Sequence, residues 1–167
     1  MKRSYKQVLS IIAAITLLSG GIPQNSTLPL RPALTVSAAD ISLDDFKYEL
    51  TSDEEGVIIT QYTGSDTAVV VPDEINDMPV TEIGSWAFFD KNDIISINLP
   101  DTVTSIGNNA FNLLINLQKI NMPAELTTIG SGAFCQTGLT EVKLPDKVTS
   151  IGSYAFASCA SLETTSV

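Results

Sequence analysis

Residues 103–111 read VTSIGNNAF, and this stretch returns three more times with small changes. The other copies read VTEIGSWAF at 80–88, LTTIGSGAF at 126–134 and VTSIGSYAF at 148–156. The glycines of successive copies lie 23, 23 and 22 residues apart. A fixed period of this length is typical of a solenoid, in which each coil is one supersecondary unit.

A second element, L-x-x-I-x-L-P, lies before the later three copies, at residues 94–100, 117–123 and 139–145. Its apolar and polar residues alternate, which predicts a short strand with one buried face. Proline ends that strand because it has no N–H to donate to a neighbouring strand. The V-T-x-I-G element predicts a second strand with its apolar residues inward. The residues through A-F are too few for an α-helix and predict a 3₁₀ or irregular turn.

One such unit cannot bury its own apolar side chains. Coils stacked about 4.8 Å apart would pair their strands and place like residues over like. The phenylalanines would then form an aromatic column in the core: Phe88, Phe111, Phe134 and Phe156. Because glycine tolerates positive φ, we expect positive φ at Gly107 and a destabilised fold if valine replaces it.

The residues before the repeats follow another pattern. Phe46, Tyr48 and Leu50 alternate with polar residues, as in a strand with one buried face. A turn over 52–56 and a second strand over 57–62 complete a predicted β-hairpin. Such a hairpin would cover the exposed core of the first coil.

The unit resembles the BspA-type bacterial leucine-rich repeats, with their L-x-x-I-x-L-P, V-T-x-I-G and A-F-x-x-C elements. The resemblance covers about residues 66–167. Cys159 stands at the family's cysteine position, which Leu114 and Thr137 occupy in the two preceding units. The resemblance implies a curved solenoid on a secreted or surface-attached protein involved in adhesion and protein–protein contact, with no catalytic residues. The predicted fold is thus mainly β: a short leucine-rich-repeat solenoid of 22–23-residue coils with an N-terminal β-hairpin cap.

The N-terminus has the features of an export signal. Lys2, Arg3 and Lys6 precede an apolar run of 11 residues at 8–18, which is short for a membrane span. We expect a secreted or cell-surface protein without membrane insertion after signal cleavage, and an uncleaved anchor is the alternative. The predicted organisation has three parts: signal peptide and linker at 1–39, cap and modified first repeat at 40–79, and leucine-rich-type repeats at 80–167.

Charge and composition exclude several function classes. Residues 40–167 hold five basic and all 19 acidic residues of the chain, a formal charge of −14, which would repel the phosphates of a nucleic acid. The chain has no histidine, the commonest general base and transition-metal ligand. No nucleophile motif is present either. The sequence therefore predicts no enzyme, no cofactor and no bound metal.

The strand residues that alternate with buried positions are the candidate binding site. Across strands they would form a patch about two residues wide and roughly 15–20 Å long, and such faces bind partners in repeat proteins. The predicted partner is a protein or glycan on another cell or in a surface complex, and a merely solvated face is the alternative. The candidate residues are Ser96, Asn98, Lys119, Asn121, Glu141, Lys143, Thr164 and Ser166.

A structural or assembly role is the second function that the sequence allows. Residues 162–167 begin a further strand, in which Thr165 stands where isoleucine is expected. Either this threonine blunts the edge at a natural terminus, or the edge stays open to another molecule; a truncated relative of longer proteins is the third alternative. End-to-end stacking through that edge would give a dimer or a continuing array. We expect a monomer or a weak dimer.

Three smaller features allow two interpretations each. The third unit is one residue shorter near Cys135, so Cys135 and Cys159 either approach as a disulfide or remain two buried thiols. Trp86 either packs under the cap or is an exposed anchor for a partner. Asp73, Asp101 and Asp146 follow the strand-ending prolines and either cap turns or bind calcium.

The threonines of the V-T-x-I-G elements recur in register. We expect them to form an exposed ladder on the opposite wall, and ice binding is a remote alternative. They are Thr81, Thr104, Thr127 and Thr149.

Overall fold

The computed structural model describes residues 43–166, with side-chain surroundings given through residue 163. The predicted signal peptide and linker lie outside the described residues. Within them the fold is mainly β, as predicted, and a single 3₁₀ turn, Leu43–Asp45, precedes the first strand. The strands are β1 (Phe46–Leu50), β2 (Val57–Tyr62), β3 (Ala68–Val70), β4 (Glu74–Ile75), β5 (Met78–Ile83), β6 (Ser96–Asn98), β7 (Ser105–Ile106), β8 (Lys119–Ile120), β9 (Thr128–Ile129), β10 (Glu141–Lys143), β11 (Ser150–Ile151) and β12 (Thr164–Ser166).

One wall of the solenoid is a continuous sheet in the order β1-β2-β5-β7-β9-β11. From β2 onward its strands are parallel, and β5, β7, β9 and β11 are the V-T-x-I-G elements of successive coils. Ile106 pairs with Ile129, and Ile129 pairs with Ile151. The stacking of like residues that the period predicted is therefore confirmed.

The opposite wall is built from the L-x-x-I-x-L-P elements. It consists of a three-stranded parallel sheet, β3-β6-β8, and a two-stranded parallel sheet, β10-β12. Ile97 and Val142 of these strands are buried, as the alternation predicted. Within the described residues the wall is thus divided between β8 and β10.

A column of stacked aromatic rings fills the space between the two walls. Neighbouring phenylalanine rings lie 5.1–5.2 Å apart between centroids and are within 29° of parallel. Phe88, Phe111 and Phe134 are fully buried. Tyr62 of the cap stacks on Phe88 at 5.3 Å and Phe46 packs against Tyr62 at 5.2 Å, so the cap extends the predicted column.

The segment through A-F is an irregular turn that contains no helix. Its alternate N–H groups donate to the next coil, so the turns form a third ladder of hydrogen bonds. Phe88 donates to the Ala110 carbonyl and Phe111 to the Ala133 carbonyl, both at 2.8 Å. The remaining N–H groups close the turn within its own coil, as between Ala110 N–H and the Gly107 carbonyl at 3.4 Å.

Positive φ occurs in these turns, but at another residue than predicted. The expectation for Gly107 is wrong, because among the described glycines only Gly132 has positive φ. Gly107 is needed for close approach instead: a Cβ there would lie 2.5 Å from the Ser85 backbone nitrogen. Two residues of each turn are left-handed. One is the second residue after each repeat glycine: Trp86 at 64°, Asn109 at 54°, Gly132 at 63° and Tyr154 at 61°. The other is the sixth: Asp90 at 59°, Leu113 at 65°, Gln136 at 57° and Ser158 at 59°.

The predicted N-terminal hairpin is present, with β1 and β2 antiparallel. Its first strand is less buried than the alternation indicated, since Tyr48 and Leu50 are 38% and 42% exposed. A bulge between Lys47 and Tyr48 shifts the register and interrupts the alternation. The buried residues of β2 cover the first coil instead, and Val57 pairs with Val80 of β5.

A second, smaller hairpin joins β4 to β5 and was not predicted. Its turn residues, Asn76 and Asp77, both have positive φ, at 53° and 62°. Consecutive positive φ values are typical of the tight two-residue turns that join antiparallel strands. The Asn-Asp dipeptide was the signal that could have revealed it.

Candidate functional site

Four of the eight predicted binding residues line one groove on the divided wall. The groove has a volume of about 520 Å³ and lies between β8 and β10. Lys119 and Asn121 form one side, and Glu141 and Lys143 form the other. We call it the β8–β10 groove.

The groove lies where one coil is shorter than its neighbours. Four residues separate Phe134 from Leu139, whereas five separate each of the other repeat phenylalanines from the next aliphatic residue. Gly138 of the short link approaches the preceding coil so closely that a Cβ there would lie 2.4 Å from the Ile115 carbonyl oxygen. We attribute the missing β8–β10 pairing to this link, because it is one residue shorter than the links of the coils whose strands pair.

The floor of the groove is apolar. Ile120 and Met122 are half-buried, whereas the residues one coil earlier, Ile97 and Leu99, are only 3% and 2% exposed. The interrupted pairing therefore uncovers core side chains that a continuous wall would bury. Apolar area with polar groups around it is the usual composition of a binding site.

Asn121 lines the groove and also joins two coils through its side chain. Its Nδ2 donates to the Leu99 carbonyl at 2.8 Å, and its Oδ1 accepts from the Leu99 N–H at 2.7 Å. The side chain thus replaces the backbone pairing that ends after Ile120. Since the contact uses both polar atoms of the side chain, Asn121 shapes the groove more than it offers free hydrogen-bonding groups.

The charges at the groove are mixed. Lys119 and Lys143 are exposed and are two of the five basic residues of the acidic segment 40–167. Exposed Glu141 lies on the same strand as Lys143. The groove is therefore the place on this wall where a partner would meet positive charge.

The other predicted residues lie beside the groove. Ser96 is half-buried and Asn98 exposed on β6, one strand before β8. Thr164 and Ser166 lie on β12, opposite Glu141 and Lys143. The predicted patch is thus a row of strands, but the groove divides it.

The threonines form an in-register ladder on the opposite wall, as predicted: Thr104 and Thr149 are exposed, and Thr81 and Thr127 are half-buried. Thr104 donates its hydroxyl proton to the Thr81 carbonyl at 3.3 Å, and Thr127 donates to the Thr104 carbonyl at 3.0 Å. Thr149 continues the series at 3.4 Å. Because these hydroxyls donate to the neighbouring coil, they help to hold successive coils together.

The two cysteines do not pair in the structure. Cys159 lies over Thr137, with its Sγ 3.2 Å from the Thr137 hydroxyl, and both thiols are free and half-buried. The disulfide alternative is therefore not formed.

No cluster of acidic, histidine or cysteine side chains suited to a metal ion occurs among residues 43–163. Asp101 joins two coils instead: it accepts from the Ala124 N–H of the next coil at 3.4 Å. None of the helical segments in the described part has the length and hydropathy needed to cross a membrane.

Trp86, for which the sequence left two interpretations, is exposed. Its side chain is 51% accessible and packs edge-on against Phe89, with ring centroids 4.8 Å apart. It therefore does not pack under the cap. It lies on the turns, not on the strand face where binding was predicted.

A family model described as a BspA type leucine rich repeat region matches residues 70–167, in six copies. Among solved structures, the leucine rich repeat protein of T. pallidum is 32% identical, with a TM-score of 0.59 over 73% of this chain and 68% of that one. A leucine-rich repeat protein from Bacteroides capillosus is 27% identical, with a TM-score of 0.65 over 72% of this chain and 92% of that one.

The pneumococcal vaccine antigen PcpA is 25% identical and has a TM-score of 0.60. The match covers 70% of this chain but only 28% of PcpA. No curated protein matches the chain at a comparable level of significance.

Proposed function

From the premise that the chain belongs to the BspA type leucine rich repeat family, we propose that it is an extracellular protein-interaction module whose strand face binds its partner at the β8–β10 groove. The family supports an interaction or surface module. An adhesin is the specialised form of that role, and it agrees with the export signal predicted at the N-terminus. We propose no catalytic role.

The groove is the observation that carries the proposal. A regular solenoid wall offers a partner only a flat row of side chains, whereas the groove offers about 520 Å³ of concave space with an apolar floor. Two lysines at its rim oppose the acidic character of the segment. An extended segment of a partner protein, with an apolar side chain for the floor and an acidic one for the rim, fits this chemistry.

A one-residue insertion provides a direct test. Asparagine inserted between Gly138 and Leu139 restores the link to the five residues of the other coils, where Asn116 occupies the equivalent place. We expect the insertion to pair β8 with β10, close the groove and leave the fold intact. A displayed peptide library selected on the wild-type chain should yield peptides that do not bind the insertion variant.

Charge variants supply the matched control. Lys119→Glu and Lys143→Glu should each raise the dissociation constant of the selected peptides about tenfold or more, since each reverses a charge at the rim. Lys47→Glu makes the same charge change on β1 of the cap, away from the groove, and should leave binding unchanged. Peptides that bind the insertion variant as well as the wild type would overturn the proposal.

Assembly is the second candidate, and one observation favours it. Ile151 is 49% exposed, although its counterparts in the preceding coils, Ile106 and Ile129, are 1% exposed. Among the described residues β11 pairs only with β9, so its other edge is apolar there and offers unpaired backbone groups to another strand. Sedimentation equilibrium over a range of concentrations tests it: assembly predicts a mass that rises with concentration in the wild type and not in Ile151→Asn.

A further inference from the structure

The turns of the solenoid form a second regular surface, distinct from the strand face. In each coil, the two residues after the repeat glycine belong to it, and all of them are exposed or half-buried except Gly132, which is buried. The coils are held in register here by hydrogen bonds. Trp86 N–H donates to the Asn108 carbonyl at 3.0 Å, and Asn109 N–H donates to the Ser131 carbonyl at 2.9 Å. We call this surface the turn strip; it comprises Ser85, Trp86, Asn108, Asn109, Ser131, Gly132, Ser153 and Tyr154.

An exposed aromatic residue stands at each end of the turn strip. Trp86 is 51% and Tyr154 80% exposed, and both have positive φ. A bulky side chain in this conformation costs free energy, which the equivalent Gly132 avoids. Phe89 holds the indole in place by edge-to-face packing. Positive φ recurs in every turn, so the feature that sets these two residues apart is their exposure. Two exposed aromatic residues in the same register position offer a ligand two stacking surfaces.

The middle of the turn strip offers amide donors. The Asn108 Oδ1 accepts from the Ser131 N–H at 2.8 Å, and the Asn109 Oδ1 accepts from Asn112 Nδ2 at 2.8 Å. These contacts fix both amide groups. The Nδ2 atoms of Asn108 and Asn109 have no partner within the described residues, so they are oriented donors for a ligand's oxygen atoms.

The turn strip also lacks charge. None of its eight residues is ionisable near neutral pH, although segment 40–167 carries a formal charge of −14 from five basic and 19 acidic residues. It also contains no aliphatic side chain, unlike the floor of the β8–β10 groove. Aromatic faces, amides and hydroxyls without charge or aliphatic groups match a neutral, hydroxyl-rich ligand better than a protein surface.

We propose that the turn strip binds a neutral glycan chain. Sugar rings stack on Trp86 and Tyr154, and Asn108 and Asn109 donate hydrogen bonds to hydroxyl oxygens between them. The two aromatic residues are three coils apart, about 14–15 Å at one strand spacing per coil, so a short oligosaccharide spans the strip. This site is separate from the strand face, and neither proposal depends on the other.

The test uses four neutral hexasaccharides: cellohexaose, xylohexaose, laminarihexaose and mannohexaose. Trp86 is the only tryptophan of the chain, so its emission reports directly on occupancy of the strip. We expect saturable quenching or a blue shift with at least one of the four at millimolar concentration or below, and a matching isotherm by titration calorimetry. Absence of binding by all four overturns the proposal.

Matched variants locate the binding. Trp86→Asn and Tyr154→Asn place at the strained position the residue that Asn109 already provides in a neighbouring coil, so both should fold. Each substitution should raise the dissociation constant of the glycan about tenfold or more. Ile115→Asn removes an exposed apolar side chain, 58% accessible, from another part of the surface and should leave the affinity unchanged.

The remaining outcomes are also decisive. A glycan that binds both aromatic variants as tightly as the wild type overturns the proposal. So does a protein ligand whose affinity falls on Trp86→Asn while no glycan binds, because the strip would then be a protein interface. The insertion after Gly138 closes the groove but leaves the strip, so glycan binding to that variant separates this inference from the proposed function.

Discussion

The ring of Phe111 stacks on the ring of Phe134 with 5.2 Å between their centroids and 17° between their planes. Both side chains are fully buried, and each ring is also stacked on its other side, by Phe88 or Phe156. Removal of one ring therefore opens a cavity between two coils.

We expect Phe111→Ala to lower the free energy of unfolding by about 3–5 kcal/mol, the range for large aromatic truncations in cores. Urea unfolding measures the change. Tyr154→Ala, which removes an aromatic side chain that is 80% exposed, is the control and should have a small effect. A melting temperature of Phe111→Ala within a degree or two of wild type would contradict the column as a source of stability.

Gly107→Ala should destabilise the fold through a backbone clash. The new Cβ would lie 2.5 Å from the Ser85 nitrogen and 2.7 Å from the Gly84 carbonyl carbon, and neither atom can move without shifting a coil. We expect a loss of about 1–3 kcal/mol, as for overpacked cores. Ser85→Ala, which changes an exposed residue, is the control. Equal stability of the two variants in thermal unfolding would show that the coils can separate without cost.

Asn121→Ala should destabilise the chain by about 1–2 kcal/mol, because both Leu99 backbone groups lose their partner. Asn98→Ala, one coil earlier, is the matched control. There the backbone carbonyl of residue 98 accepts the Val71 N–H, so the substitution removes no such contact. The free energies of unfolding measured in denaturant should differ between the two variants. Equal values would mean that the hydrogen bonds between Asn121 and Leu99 contribute nothing to stability.

Stability should fall at alkaline pH because of Tyr62. Burial raises the pKa of this phenol to about 12, whereas the unfolded chain has a tyrosine pKa of about 10. Between these values the folded chain keeps a proton that the unfolded chain releases. The contribution of Tyr62 to stability is therefore complete below pH 10 and is lost progressively as the pH rises towards 12.

Tyr62→Phe isolates that contribution. Its hydroxyl donates to Asp66 Oδ2 at 3.1 Å, so the variant should be less stable at neutral pH but lose stability less steeply between about pH 9 and 11.5. If Tyr62→Phe retained the wild-type slope, Tyr62 would not be the group that titrates.

The periodic part of the fold could be predicted from the sequence because identical side chains recur at a fixed spacing. The pairing of Ile106 with Ile129 and the stacking of Phe111 on Phe134 both follow from that period. The cap hairpin followed from its alternation, although the exposure of Tyr48 did not. A bulge changes which residues face the core without changing the residues themselves.

The site could be predicted only in part. Lys119, Asn121, Glu141 and Lys143 were predicted from alternation, and the structure places them around one groove. Their role in binding stays a prediction. The groove between them was missed, although the shorter third unit was visible in the sequence. How a missing residue is absorbed depends on backbone register across two coils, and side-chain pattern carries no information about it. Positive φ was misplaced for a similar reason, because glycine has two uses and Gly107 serves the other.

The short link at Gly138 bears on how repeat proteins diversify. The V-T-x-I-G wall stays paired across it, from β9 to β11, so only the facing wall is interrupted. A lineage of such proteins can therefore acquire a cleft through the loss of a single codon, without altering any side chain of the hydrophobic ladder. The length of the link between repeat elements, as well as the identity of surface residues, would then help to determine which partners these proteins bind.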